Sequence, residues 1–426
     1  MPSSSTPPAD SPAPNRAGRP AARAAIEALH AYAPGEQPTW ADTHRSERPV
    51  VKLNTNENPH PPSPRAMEAV AALPAEALRL YPPPLSNGLR AAAAAALNDP
   101  EDRGFTADFI IGTNGGDELL RLLITVFCEP AAGGATPVAD LGAGGVGLTT
   151  PSYSLYGVLA GIHGAAVTEV PRDPETLAPP APEALAEAWN AAGCRLGFVV
   201  NPHAPSGRRE GRAWLTTLAD AFEGLLVVDE AYVDFADADA AGLVAPAGEA
   251  RADVLLLRSL SKGYGLAGLR VGFGVGHPSL ITLLDKARDS YNLDAFAQAA
   301  AAAALADRAY AESTWSSVRG QRVRLTGLLR ERGLGVLDSQ SNFVLARVPG
   351  GADEARRLYR GLKEAGVLIR HFDTPGLDDR LRITVGLPEQ VDRLVAALDG
   401  LLARSGGSGS NGTDPQPTIN PSEAAG

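Results

Sequence analysis

Cysteine is scarce in this chain of 426 residues: Cys128 and Cys194 are the only two, far apart and each beside an apolar run. They exclude a disulfide framework and read as core thiols of a protein in a reducing compartment, taken here as the cytoplasm. The seven histidines (His30, His44, His60, His163, His203, His277 and His371) fall at no metal-ligand spacing, which leaves a metal site without support. No stretch reaches the run of about eighteen apolar residues expected of a membrane helix. Positive charge is not in excess either. Lys and Arg number 38 against 49 Asp and Glu, and a net charge of −11 argues against general nucleic-acid binding. A local basic site for an anionic substrate remains compatible with it. No internal repeat is present, and the alanine runs at 91–96 and 299–304 are helix formers. Residues 1–20 are rich in Ser, Pro and Ala but lack the apolar core of a secretory signal, so a disordered arm is expected there. The Gly- and Ser-rich stretch 405–426 is expected to be a flexible tail.

What remains is an ordinary globular composition, 44% hydrophobic and 20% charged, long enough for two domains. Short apolar runs at 109–111, 148–151, 196–200, 225–228 and 254–257 alternate with helical stretches. That alternation predicts an α/β fold: a mostly parallel central sheet flanked by helices. The strands at 343–347 and 381–385, with a helix around 352–365 between them, predict a smaller α+β domain. The expected division is 61–300 for the large domain and 301–404 for the small one, with 21–60 packing on the latter.

The segment Ser259-Leu260-Ser261-Lys262-Gly263-Tyr264-Gly265 carries most of the chemistry. It follows the apolar run Val254–Leu257, and Arg270 arrives eight residues after the lysine. A lysine at the end of a buried strand is costly to desolvate. Condensation of its amine with a carbonyl cofactor removes that charge. The hydroxyls of Ser259 and Ser261 and the guanidinium of Arg270 suit a phosphate. Lysine and phosphate ligands in one loop point to pyridoxal 5'-phosphate; the competing reading is a strand-to-loop junction with a surface lysine. A second run, Leu225-Leu226-Val227-Val228, ends in Asp229, with Tyr232 three residues on. An aspartate at the carboxyl end of a parallel strand lies where open α/β sheets bind ligands. It can pair with a pyridine nitrogen, and it can equally cap the next helix. Gly115, Gly116 and Asp117 are expected to open a helix, which makes an anion site or a plain turn.

Taken in order, these segments resemble the histidinol-phosphate aminotransferase family of class I/II, fold type I pyridoxal-phosphate enzymes. The resemblance covers roughly residues 50–400. It extends to Leu53-Asn54-Thr55-Asn56-Glu57-Asn58-Pro59, Leu80-Tyr81-Pro82, Gly112-Thr113-Asn114-Gly115-Gly116-Asp117, Pro151-Ser152-Tyr153-Ser154-Leu155-Tyr156, Ser341-Asn342-Phe343 and Leu381-Arg382-Ile383-Thr384. It implies Lys262 as the cofactor-linked base, Asp229 at the ring nitrogen, and Tyr232 at the ring oxygen. Tyr153 is implied to stack on the ring. Gly115, Gly116, Asp117, Ser259, Ser261 and Arg270 are implied around the cofactor phosphate, with Tyr81 reaching it from a partner subunit in a homodimer. Asn56, Arg370 and Arg382 are implied on the substrate side.

The implied reaction is transamination from a small-molecule amino donor to a 2-oxo acid: histidinol phosphate and 2-oxoglutarate, in histidine biosynthesis. Close alternatives keep the fold and take aromatic or other amino acids, serve secondary metabolism, or decarboxylate; a non-catalytic regulator is the remote one. One departure stands out. Asn201-Pro202-His203-Ala204-Pro205-Ser206-Gly207 has Ala204 where the family has an asparagine that contacts the ring oxygen. Alanine donates nothing. Tyr232 alone, His203, or a water is left to take that contact, and Asn201 is expected to shape the loop.

Overall fold

The computed structural model describes residues 22–29, 35–44, 49–130, 144–247 and 250–406. The expected arm at 1–20 lies outside them. So does the tail, apart from its first two residues, because the last helix runs Pro388–Gly406.

Thirteen strands occur among the described residues, numbered in chain order: β1 Val51–Lys52, β2 Ile110–Thr113, β3 Gly145–Thr150, β4 Val167–Pro171, β5 Cys194–Val200, β6 Leu225–Asp229, β7 Val254–Ser259, β8 Gly272–Gly276, β9 Gly335–Val336, β10 Phe343–Arg347, β11 Val367–Leu368, β12 Arg370–His371 and β13 Arg380–Thr384. Seven build one sheet in the order β2-β8-β7-β6-β5-β3-β4. The pairs from β4 to β7 are parallel, whereas β8 runs antiparallel to both β2 and β7. The architecture is α/β, as the alternation predicted.

Its central strands are buried on both faces, which is why β6 and β7 read as unbroken apolar runs rather than alternating ones. The helices Gly115–Phe127 and Pro278–Ala287 contribute to the core on one face, and Asn87–Leu97 and Pro182–Ala191 to the core on the other.

A second sheet, β12-β13-β10-β9, is antiparallel and packs with the helices Arg308–Glu331, Gly351–Glu364 and Pro388–Gly406. Strand β1 pairs in parallel with β11, Val51 opposite Val367, so the N-terminal segment joins this second layer. The boundary expected at 300/301 falls inside one helix, Ala295–Ala306. Ala297, Ala300, Ala301 and Ala304 are buried in the large sheet's core, because small side chains let this helix lie close to its neighbours. The chain leaves the large sheet only at Asp307.

Two glycines show how tightly the large sheet is covered. Gly147 of β3 and Gly197 of β5 are partners across the ladder. The fully buried indole of Trp189 lies over both, so that a Cβ at either position would collide with it. Phe222 closes the slot edge-on, 5.4 Å from the indole. Gly197→Ala is therefore expected to lower stability by about 1–3 kcal/mol, the usual cost of overpacking. The midpoint of urea unfolding should fall accordingly, and an unchanged midpoint would mean the indole moves freely.

Candidate active site

The carboxyl ends of β6 and β7 lie side by side and deliver Asp229 and, three residues past Ser259, Lys262. Asp229 is buried. Its Oδ2 accepts from the Tyr156 hydroxyl at 2.6 Å and its Oδ1 from the Ala231 N–H at 3.0 Å. Burial pushes this carboxyl above its ordinary range, opposed by those two bonds, while the charge of Asp117 pushes the same way as burial. Two accepted bonds leave lone pairs on the carboxylate for one more donor, such as a ring N–H. Tyr156 is itself stacked on Phe198 at 4.9 Å, and Tyr153 stands edge-on to it at 5.6 Å. Sequence reasoning quoted Tyr156 without giving it a task. Its place one helical turn beyond Tyr153 was the only signal.

Lys262 is half-buried, and its Nζ donates to the Thr55 carbonyl at 3.1 Å. Burial brings its pKa down to about 8; the Glu57 charge opposes this, and Arg382, Arg270 and Lys52 add to it. The backbone beside it is pinned. The Gly263 carbonyl accepts from Asn58 Nδ2 at 2.9 Å and from the Trp315 indole at 2.8 Å. A Cβ on Gly263 would collide with the Asp234 carboxylate, so only glycine fits there.

Beside this loop is a cluster of anion donors. The helix Gly115–Phe127 begins directly after β2, with Gly115 at φ +73°. A Cβ on Gly115 would sit 2.7 Å from Arg270 Nη2, so the glycine makes room for the guanidinium. Arg270, itself left-handed at φ 51°, donates to Ser261 Oγ at 3.3 Å and pairs with Asp117 Oδ2 at 3.3 Å. Ser259 Oγ accepts from the Ser261 N–H at 3.2 Å. A guanidinium, two hydroxyls and the first N–H groups of a helix form a donor set suited to a phosphate.

The second sheet brings two more cations. Arg370 of β12 and Arg382 of β13 are directly opposite one another. Both guanidinium carbons lie 5.6 Å from the Phe372 ring, and that of Arg382 lies 5.4 Å from Phe343. Arg382 Nη2 donates to the Asn54 carbonyl at 2.9 Å, next to the carbonyl that holds Lys262. Like charges directly opposite in a ladder are unfavourable, and an anion between them reverses the sign. Asn56, buried at φ 57°, donates from Nδ2 to the Tyr232 hydroxyl at 3.1 Å. Tyr232 packs edge-on to Phe343 at 5.1 Å.

Not every sequence expectation lands in this cluster. Tyr81 projects from the surface, 80% exposed, stacked on Tyr291 at 4.3 Å. His203 is no substitute for the missing asparagine. Its Nε2 lies 2.9 Å from the Pro151 carbonyl, which can only accept, so Nδ1 must accept from Ser206 Oγ at 2.7 Å. Both ring nitrogens are thus occupied, one by Ser206 within the loop and the other by Pro151 just past the end of β3. Asn201 shapes the same loop, exchanging bonds with the backbone of Glu210 at 3.1 and 2.7 Å. Ala204 is buried among apolar neighbours.

The depressed lysine sets a stability test. In protein freed of any bound cofactor, the unfolded chain holds the Lys262 proton up to about 10.5, but the folded chain only to about 8. Between those values the unfolded state binds more protons, so this group makes folding more favourable as pH rises. Lys262→Met should be more stable than the parent near neutral pH. Its advantage should shrink from pH 8 to 10.5 when urea midpoints of both proteins are compared; a constant gap would contradict the depressed pKa.

Residues 48–398 match the family described as aminotransferase class I and II. The chain is 42% identical over 380 residues to histidinol-phosphate aminotransferase 1 of Trichormus variabilis, spanning 89% of this chain and 98% of that one. It is 39% identical over 378 residues to the histidinol-phosphate aminotransferase of Citrifermentans bemidjiense, spanning 89% and 97%. Among solved structures, the histidinol-phosphate aminotransferase of Sinorhizobium meliloti in complex with pyridoxal-5'-phosphate superposes with a TM-score of 0.75 at 25% identity, spanning 90% of this chain and 97% of that one. Thermus thermophilus aspartate aminotransferase with maleate shares the fold, with a TM-score of 0.67 at 23% identity over 83% of this chain and 91% of that one. With its half-buried lysine and buried aspartate at adjacent strand ends and a phosphate-type donor set beside them, this chain belongs to the class I and II aminotransferase family.

Proposed function

We propose that the protein is a pyridoxal-phosphate-dependent aminotransferase that takes its amino group from histidinol phosphate and passes it to 2-oxoglutarate, in histidine biosynthesis. The observation that carries this reading is the Arg370–Arg382 pair, joined to Lys262 through the consecutive carbonyls of Asn54 and Thr55. The names of the relatives support it. The fit of the cofactor rests on the donor set: Ser259, Ser261, Arg270 and the N–H groups at Gly115 and Gly116 would hold its phosphate. Asp117 would hold Arg270, Asp229 would accept the ring N–H, and Tyr153 would cover the ring. Tyr232 would donate to the ring oxygen.

When bound, the cofactor supplies an electron sink that acidifies the Cα–H bond of the amino donor. Lys262, with a pKa near 8, is partly neutral at physiological pH and can take up that proton and return it. Asp229, as a carboxylate, would stand in the position that favours a protonated ring nitrogen. Arg382 and Arg370 together suit a phosphate dianion on the donor, and Arg382 a carboxylate on the acceptor.

The exposed Tyr81 lies near Leu78, Leu80 and Leu85 in sequence and against Tyr291, all at least 44% exposed. Such a patch supports a homodimer in which Tyr81 reaches the neighbouring site. Two buried thiols, Cys128 and Cys194, agree with a reducing compartment, the cytoplasm. The working division is a cofactor-binding part to about residue 306, then a smaller part with 49–60 packed on it.

The test is to follow the absorbance of the bound cofactor through one half-reaction with histidinol phosphate and, separately, with phenylalanine. Rapid conversion with histidinol phosphate is expected. Conversion with phenylalanine alone would move the enzyme to aromatic amino acids, and no cofactor absorbance at all would overturn the reading. Lys262→Ala should abolish the conversion. Arg370→Gln should lower kcat/KM for histidinol phosphate about 10–100-fold, the worth of a charge-assisted hydrogen bond, with a smaller loss for glutamate.

A further inference from the structure

Asn56 is hydrogen-bonded through its backbone and both ends of its amide. Its N–H donates to Thr384 Oγ1 at 3.0 Å. The Thr384 hydroxyl donates in turn to Asn56 Oδ1 at 3.2 Å. The other end of the amide, Nδ2, donates to Tyr232 Oη at 3.1 Å. The Asn56 carbonyl accepts from Asn342 Nδ2 at 2.9 Å, and both Asn56 and Asn342 are buried. The amide is thus clamped by two residues of the second layer, Thr384 and Asn342. The Tyr232 oxygen accepts from it.

Resting on the reading above, we propose that Asn56 is a positioning residue rather than a substrate ligand. By donating to Tyr232 Oη it turns the phenol's own proton toward the oxygen on the cofactor ring, in place of the donor that Ala204 lacks. The reasoning is that of a donor chain. An amide N–H bonded to a phenol oxygen polarises the O–H, and a chain of hydrogen bonds strengthens each member. Ala204 has no side-chain donor, and both nitrogens of His203 are taken, by Ser206 and by the Pro151 carbonyl. Tyr232 is left to supply the ring-oxygen contact, and its orientation then matters more than where an asparagine shares the work. The left-handed backbone at Asn56, φ 57°, is the conformation asparagine tolerates best after glycine, and it places the side chain between Thr384 and Tyr232.

The readout is the pH titration of the absorbance of the cofactor bound at Lys262. A donor to the ring oxygen stabilises its negative charge and lowers the affinity of the adjacent nitrogen for its proton, so losing the donor raises the midpoint. The charged groups that act on Lys262 are Glu57, Arg382, Arg270 and Lys52, and all stay in place in these variants.

Asn56→Gly retains the left-handed backbone, and it is expected to raise the midpoint by about half a pH unit or more. Tyr232→Phe should raise it further. The double variant should match Tyr232→Phe, because Asn56 acts only through Tyr232. Adding Ala204→Asn to Asn56→Gly should bring the midpoint back toward the parent value. Shifts that add independently in the double variant would overturn the proposal, as would an Asn56→Gly protein with an unmoved midpoint and only a raised KM. Should Asn56→Gly fold poorly, Asn56→Asp is the second variant. Its carboxylate takes the phenol proton for itself, so the midpoint should rise as well, and a fall would count against the assignment. A parent protein without any cofactor absorbance would instead defeat the functional reading, which keeps the two failures apart.

Discussion

Burying the Lys262 amine between the two sheets is the constraint around which the rest is arranged. A lysine deprived of water either takes a carboxylate partner and keeps its charge or goes without one and becomes a nucleophile. This fold takes the second course. The amine bonds to a neutral carbonyl, that of Thr55, while the nearby Glu57 carboxylate is drawn to Lys52 and to the Thr55 hydroxyl at 2.7 Å. Were Glu57 bonded to Lys262 directly, the amine would stay protonated and could not act as a base. Lys52 thus protects the reactivity of Lys262 by occupying its competitor, and it adds a positive charge that lowers the pKa further.

The segment Asn54–Asn58 is how the two layers are held in register at that point. The Asn54 carbonyl takes Arg382, the Thr55 carbonyl takes Lys262, the Asn56 side chain meets Thr384 and Tyr232, and Asn58 holds Gly263. Four of these five residues make the contacts because the left-handed turn at Asn56 sends successive groups to different sides. β1 anchors one end of the segment to β11. A shift of the second sheet would therefore move Arg382 and Tyr232 relative to Lys262 together, so substrate-side and cofactor-side groups cannot drift apart independently.

What the sequence made legible was local. An apolar run ending in Asp229, the serines and glycine around Lys262, and the glycine turn at Gly115 each carry their chemistry within a few residues, and each lies at a strand end of the large sheet. The α/β class followed from the alternation of runs with helices. Register between distant segments was not legible. Nothing near Arg370 shows that β12 sets it opposite Arg382, and nothing in the chain shows that the Tyr156 hydroxyl meets a carboxylate 73 residues on. Asn56 is expected on the substrate side because its motif is; its contact with Thr384, 328 residues away, is not legible locally. His203 looked available because its bonds to Ser206 and Pro151 depend on how the loop folds back. The helix Ala295–Ala306 hid its allegiance because alanine carries no periodic signal.

The same geometry bears on selectivity between donors. The chain carries a net charge of −11, yet Lys52, Lys262, Arg270, Arg370 and Arg382 converge on one region. That local field draws anions to a protein that otherwise repels them. A carboxylate has two oxygens in a plane and satisfies one guanidinium fork; a phosphate ester has three, splayed, and can bridge two. With Arg370 and Arg382 opposite each other on adjacent strands over a shared Phe372 ring, the bridging anion relieves a repulsion that a carboxylate on Arg382 leaves in place. On the proposed reading, discrimination would come from the cross-strand register of two arginines. Aromatic rings nearby would set only the walls, and a phosphorylated donor would fit better than a merely aromatic one.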